Sequence, residues 1–419
     1  MSRRRTSHSE PSASSMNESF AYPFSTMQQQ NTQPQRRGPI EGPNGRRLIR
    51  RVTWRSSTYK LMASLWVLGV FYIVWLIRDL FYLPFSPTPE VESVPLNVAD
   101  DFLAQYVGRQ ECDISFKSLY NPPESGDERA LSKSYCQTRS SLLDAMSSGG
   151  RHGFDAAYTS QGCSYRWYTT AQICDILRKF DGIAFVGDDS LASVYAGFNI
   201  LLRKNLALGS LKEWEMSQEQ GEMCKCNSQF TSSSCASLRI SSSDEIHAQD
   251  GKPATQSPYA CSTQTLHAFL AATESPALKN SHERFRQLIR QAGQKKPIPI
   301  IHSLSLSTSL SVPTAKSSMD EWITLAQATG RDMPFLWVGP TAPGHQKVDG
   351  QNSPHANSAV WQYTMDTAEA AQIRDMDVLG MYNATLQAES WDGMHYGEKV
   401  ALMQAMMVSY WISSCPTLF

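Results

Sequence analysis

Ile183-Ala184-Phe185-Val186-Gly187-Asp188-Asp189-Ser190-Leu191 reads as a strand that ends in a sharp turn and hands over to a helix. Four consecutive apolar residues suit a strand buried on both faces, and from 191 to 203 the apolar positions recur at helical spacing. Ser190 is thereby expected at the tip of a strand-to-helix turn, held out of the core. Working outward, candidate strands at 298–304, 334–338 and 378–382 join the one at 182–186. They alternate with helical stretches at 166–180, 191–203, 281–293, 359–374 and 398–412. This alternation predicts an α/β fold, a three-layer parallel sheet with helices on both faces. Ligands of such sheets bind beyond the carboxyl ends of the strands, where Ser190 falls. The polar, Ser-rich, Cys-bearing region 209–258 reads as a loop-rich insertion, and no internal repeat signals a solenoid.

A serine hydroxyl is a poor nucleophile at neutral pH until a base takes its proton, and histidine suits that task. The second informative stretch, Asp392-Gly393-Met394-His395, supplies one in a Gly-containing turn just before the helical run 399–411. His395 is the expected base and Asp392 the carboxylate that orients it, so the catalytic candidates run Ser190, Asp392, His395 along the chain. Ser190 also sits at a helix N-terminus, where free backbone N–H groups favour a developing negative charge. Gly187, Asp188 and Asp189 are the accompanying oxyanion and turn candidates. Each motif by itself also has a purely structural reading, as a helix cap and as an ordinary Asp-Gly turn.

Taken together these residues resemble the SGNH or GDSL hydrolases, and within them the PC-esterase branch of membrane-anchored polysaccharide O-acetyltransferases. That branch includes trichome-birefringence-like wall acetyltransferases and relatives of the fungal capsule O-acetylation protein. The shared pattern is a G-D-S near the start and a D-x-x-H near the end. Ser190 matches the nucleophile, Asp392 and His395 match the D-x-x-H pair, and Phe185-Val186-Gly187 matches the strand leading in. The resemblance spans about residue 100 to the C-terminus. In this chain two residues separate glycine from serine, so Asp189 takes the aspartate place and Asp188 stands where the pattern has glycine. An extra carboxylate there would disfavour an oxyanion. A G-x-N block for the remaining oxyanion donors is not found: His302-Ser303-Leu304-Ser305 follows a buried-looking strand, and Asn199 lies on the helix after the nucleophile. The resemblance implies a glycan O-acetyltransferase with a Ser-His-Asp acyl-enzyme, a glycan acceptor, and acetyl-CoA or a lumenal acetyl carrier as donor. The alternatives are an O-acetylesterase of the same glycans or a non-catalytic carbohydrate-binding relative.

Location is read from the uncharged, mostly apolar run Leu61 to Ile77, near the short end of the roughly 20 residues that cross a bilayer. Residues 1–60 hold eleven Lys and Arg against three Glu, so with the whole chain at −1 the remainder carries −9. The positive side is expected in the cytoplasm. The segment begins too far from the N-terminus for a cleaved signal, which predicts a signal anchor and a single-pass type II protein. A short span favours the endoplasmic reticulum or Golgi over the plasma membrane. The expected plan is a disordered basic tail at 1–55, a transmembrane anchor at 60–83, a Pro-rich stem at 84–99 and a lumenal domain at 100–419. A single span offers no route for acetyl groups, so a multispanning acetyl-supplying partner is also expected.

All nine cysteines lie after residue 111, which fits disulfides in an oxidising lumen and leaves an odd thiol. Their pairing is not deducible from sequence. Cys224-Lys225-Cys226 near Cys235 has no histidine set beside it, so disulfides rather than a metal are expected. Asn383-Ala384-Thr385 is an N-glycosylation sequon if exposed. His302, His345 and Trp391 are weaker substrate-binding candidates, and the Pro/Gly loop from Gly339 to His345 is a candidate wall of the acceptor groove. No phosphate-binding glycine motif appears, and the negative balance beyond residue 60 argues against nucleic acid.

Overall fold

A computed structural model describes residues 61–73, 101–121, 135–249, 259–261, 265–293, 295–344 and 357–416. The expected tail, the stem and residues 74–83 of the expected anchor lie outside them. Five parallel strands build the main sheet: β3 (Gly182–Gly187), β4 (Leu266–Ala271), β5 (Ile300–Ser303), β6 (Phe335–Val338) and β7 (Asp377–Leu379), in the spatial order β4-β3-β5-β6-β7. A two-stranded antiparallel ribbon, β1 (Gly150–Arg151) with β2 (Tyr158–Thr159), lies apart from it in the hydrogen-bonding pattern. The first strand of the main sheet is internal and the second lies at one edge, so the winding reverses between β3 and β5. That reversal opens a crevice at the strand ends.

The helices divide between the two faces because successive strand residues point in opposite directions. Ile183 and Phe185 pack with α2 (Thr170–Leu177), α3 (Asp189–Arg203) and α7 (Glu398–Ser414), and α1 (Arg139–Ser148) contributes to the same core. Ala184 and Val186 face the opposite way, onto α4 (Lys279–Gln291) and α5 (Val312–Gln327). Trp337 extends that second face toward α5 and α6 (Asn357–Gln372). The result is the expected α/β architecture, a five-stranded parallel sheet between helical layers. Helices α3 and α7 approach closely at Gly197, where an added Cβ would come within 2.4 Å of the Ala401 carbonyl oxygen.

Several elements are absent from the sequence reading: the ribbon β1–β2, helix α1, strand β4 and helix α5. Strand β4, Leu266-His267-Ala268-Phe269-Leu270-Ala271, is mostly Leu and Ala, which favour helix. It is a strand because all six residues pair in register with β3, a tertiary cause outside any local pattern. Helix α5 was likewise not among the expected helices; Ser311 caps it and Pro313 stands in its first turn. The strand expected at 378–382 is shorter, ending at Leu379, and Tyr382–Thr385 is a turn of helix. The insertion, expected to be loop-rich, in its described part carries short helices joined by turns and contributes no strand to the sheet.

Eight cysteines form four disulfides, Cys112–Cys226, Cys136–Cys163, Cys174–Cys261 and Cys224–Cys235. Cys224, Cys226 and Cys235 therefore offer no free thiolate. The bond from Cys112 to Cys226 closes a separation of 114 residues, a loop for which chain entropy gives a stabilisation of about 4–5 kcal/mol. The odd thiol, Cys415, is buried, and burial pushes it up to about 12. Among the described residues no helix is long and apolar enough to cross a membrane. The described part of the expected anchor, 61–73, is helical and exposed all round, with Trp66, Leu68 and Phe71 each more than 60% exposed.

Candidate functional site

The turn between β3 and α3 is fixed by close contact. Gly187 lies so near β5 that a Cβ would stand 2.4 Å from the Ser303 carbonyl oxygen, which accounts for glycine there. Asp188 follows in an extended conformation, φ −89° and ψ −170°, open to any residue. Aspartate in the place of the pattern's glycine therefore imposes no strain. Asp188 is the N-cap of α3, and its Oδ1 accepts the Ser190 N–H at 3.3 Å. Its Oδ2 accepts from the Ser305 N–H at 2.9 Å, the Ser305 hydroxyl at 3.1 Å and the Ser307 hydroxyl at 3.2 Å. Burial raises the Asp188 pKa, more than these bonds lower it. Of the oxyanion and turn roles considered for Asp188, its carboxyl takes the turn role, tying the turn to the loop after β5. Asp189 is exposed in the first turn of α3, where a negative side chain suits the helix dipole.

The second half of the site is held by a net of short bonds. His395 Nδ1 and Asp392 Oδ2 are 2.6 Å apart, and Asp392 Oδ1 accepts the backbone N–H groups of His395 at 2.7 Å and Met394 at 2.9 Å. Burial raises the Asp392 pKa, but the His395 ring and these two N–H groups outweigh it, and the net direction is down. Asp392 is thus an ionised acceptor. With the proton on Nδ1 facing Asp392, the imidazole keeps Nε2 as an acceptor. Gly393 adopts φ +83°, a conformation that favours glycine, and Ser390 Oγ accepts its N–H at 2.9 Å. The Gly344 N–H donates to the Gly393 carbonyl at 2.7 Å, and the Tyr396 hydroxyl donates to the Ala342 carbonyl. The loop after β6 therefore braces the histidine loop.

Both halves line one cavity of about 200 Å³, with Ser190 and Ser193 from α3, Ser307 and Thr341 from the loops after β5 and β6, His395, and Gln404 from α7. It lies at the ends of β3 and β5, whose last residues Gly187 and Ser303 pair in register. Ser190 and His395 share its wall without a direct hydrogen bond to each other among the described contacts; in ligand-free sites such bonds are often long and tighten when substrate binds. Asp392 does not line the cavity and acts behind the ring. A hydroxyl and an imidazole thus meet at one small space, with a carboxylate bonded to the far side of the ring.

The weaker candidates fare differently. His302 is fully buried: its Nδ1 donates to the Val186 carbonyl at 2.8 Å, the Ser318 hydroxyl donates to its Nε2 at 3.1 Å, and burial lowers its pKa to about 4. It is a neutral residue tying β3 to β5 and α5, not a substrate contact. His345 lies outside the described residues. Trp391 is 58% exposed and lines a separate groove of about 390 Å³ with Asn227, Glu398 and Lys399. Asn199 is buried, with its amide donating to the Tyr195 carbonyl, so it supplies no oxyanion donor. The Asn383 sequon is built into the fold: its amide donates to the Ser147 carbonyl at 3.1 Å, and Thr385 is fully buried. The exposure on which glycosylation there depends is thus only partial. Gln404 carried no signal in the sequence, because it sits in the apolar helical run Val400 to Val408.

No known family, curated protein or solved structure matches this chain.

Proposed function

We propose that this protein is a glycan O-acetyltransferase whose acyl-enzyme forms on Ser190. The observation that carries the reading is the meeting of Ser190 and His395, the latter backed by Asp392, on one cavity at the winding reversal of the sheet. Ser190 Oγ attacks the acetyl carbonyl carbon as His395 Nε2 takes its proton. The tetrahedral adduct collapses and expels the donor's leaving group, which leaves with that proton. A sugar hydroxyl then gives its proton to Nε2 and attacks the acyl-serine, and Ser190 departs with the proton restored. Asp392 holds the ring and stabilises its cationic form throughout.

An esterase reading has one specific support. The His395 side chain is 39% exposed, so water reaches the base and competes with the sugar unless bound acceptor excludes it. The four disulfides support an oxidising compartment, and the apolar, fully exposed helix at 61–73 supports a membrane anchor, since a helix apolar all round calls for lipid or a protein core. The cellular reading that follows is a type II protein of the Golgi or endoplasmic reticulum with a lumenal catalytic domain. It would be supplied by acetyl-CoA, a lumenal acetyl carrier or a multispanning partner.

The test uses full-length protein in detergent with isotope-labelled acetyl donors and a panel of oligosaccharides. Label on Ser190 that passes to sugar is the expected result, and label released only as acetate moves the assignment to esterase. Binding of glycan by both wild type and Ser190→Ala, with no labelling of either, overturns catalysis and leaves a carbohydrate-binding protein.

A further inference from the structure

We infer that the side-chain amide of Gln404 is the donor that holds the substrate carbonyl oxygen as it becomes an oxyanion; this rests on Ser190 being the nucleophile. Acyl transfer places negative charge on that oxygen, and a site needs hydrogen-bond donors aimed at it. The donors around the cavity are mostly engaged. The Ser190 N–H goes to Asp188 Oδ1, the Ser193 hydroxyl to the Asp189 carbonyl at 3.2 Å, the Ser307 hydroxyl to Asp188 Oδ2, and the Tyr396 hydroxyl to the Ala342 carbonyl. Of the polar side chains on the cavity wall outside the catalytic pair, those of Thr341 and Gln404 have no protein partner among the described residues.

Gln404 is the stronger of the two. It is 3% exposed, yet its neighbours along α7 from Val400 to Val408 are all buried apolar residues. The residue is buried as a whole, but its amide is not fully enclosed, and the space it touches is the one that substrate would fill. Helical side chains lean toward the helix N-terminus, so Gln404 reaches back from α7 toward the loop that carries His395. Its Nε2 offers two N–H donors, while Thr341 offers one rotatable hydroxyl. As Ser190 Oγ bonds to the carbonyl carbon, the C=O electron pair moves onto oxygen and the serine proton moves to His395 Nε2. The oxyanion accepts from Gln404 Nε2–H until collapse restores the C=O bond and expels the leaving group with the proton.

The experiment follows the p-nitrophenolate burst from p-nitrophenyl acetate with full-length protein, wild type against Ser190→Ala and Gln404→Met. A burst lost in Ser190→Ala but retained, slowed about 10²–10³-fold at nearly unchanged KM, in Gln404→Met is the expected result. Affinity for methylboronic acid, which forms a tetrahedral adduct on the serine, is expected to fall in the same proportion, which a merely structural role would not produce. Should Gln404→Met fail to fold, Gln404→Asn keeps the amide but withdraws it by one methylene and is expected to show the same paired loss. No Ser190-dependent burst in wild type overturns both the nucleophile and this inference. A normal burst with Gln404 variants within about twofold of wild type in rate and boronate affinity overturns this inference alone.

Discussion

The turn that carries Ser190 and the loop that carries His395 face each other across one cavity, but they are held by different forces. The first is set in the core: Gly187 lies against the β5 backbone, and the carboxyl of Asp188 is buried among Ser190, Ser305 and Ser307. The second stands at the surface and is held by hydrogen bonds, with Asp392 ionised and His395 partly open to solvent. Two aspartates with opposite pKa directions mark the contrast. Buried Asp188 ties the turn to the loop after β5, and the ionised Asp392 holds the half-open ring of His395. Substitution on one side should therefore disturb stability, and on the other side turnover.

The largest effect expected is on turnover. In Asp392→Asn, the amide oxygen can keep the two backbone bonds now made by Oδ1, while the NH₂ group displaces the acceptor that orients the ring. The expected loss in kcat is about 10⁴-fold, with unfolding free energy changed by less than about 1 kcal/mol. A large fall in melting temperature without a kinetic defect would break the contrast. Across the cavity, Asp188→Ala removes a helix cap worth about 1 kcal/mol and strands the Ser305 N–H, worth about 1–3 kcal/mol more. Urea unfolding should show a loss of about 2–4 kcal/mol. Gly187→Ala should cost about 1–3 kcal/mol by the same measurement, since Ser303 is backbone and can yield only by shifting the strand.

This division also explains what was legible in the sequence. Ser190, Asp392 and His395 announce themselves through local turns, and β3, β5 and β6 through short apolar runs, so the α/β architecture follows from neighbours along the chain. Strand β4 does not, because Ala268 and Ala271 carry no strand preference and their state is decided by pairing with β3. His302 reads as a weak substrate-binding candidate, and its structural role is hidden because its partners Val186 and Ser318 come from other elements. The extra acid at Asp188 reads as a threat to an oxyanion, and only the position of Ser305, far along the chain, reveals why it turns away. Gln404 is silent for the same reason: the helix pattern marks it as core, and only the cavity gives its amide a purpose.

Glu398 sharpens the contrast with the smallest expected effect, because it places a second core carboxyl directly behind the surface loop. It opens α7, is 1% exposed, and neither carboxylate oxygen has a hydrogen-bond partner among the described residues, although Asn227 Oδ1 accepts its backbone N–H at 3.0 Å. Burial raises its pKa well above the ordinary value of 4.5. The folded protein therefore binds this proton more tightly than the unfolded chain. The stabilisation is fully present below the unfolded pKa and is lost as pH rises through the folded one. Glu398→Gln cannot ionise, so it should match wild type near pH 4 and exceed it increasingly toward pH 8, by about 1–2 kcal/mol at the upper end. Melting temperatures of the two proteins across that range measure the gap. A gap that narrows as pH rises would mean that the folded state favours an ionised Glu398, and that this side of the cavity is built on charge after all.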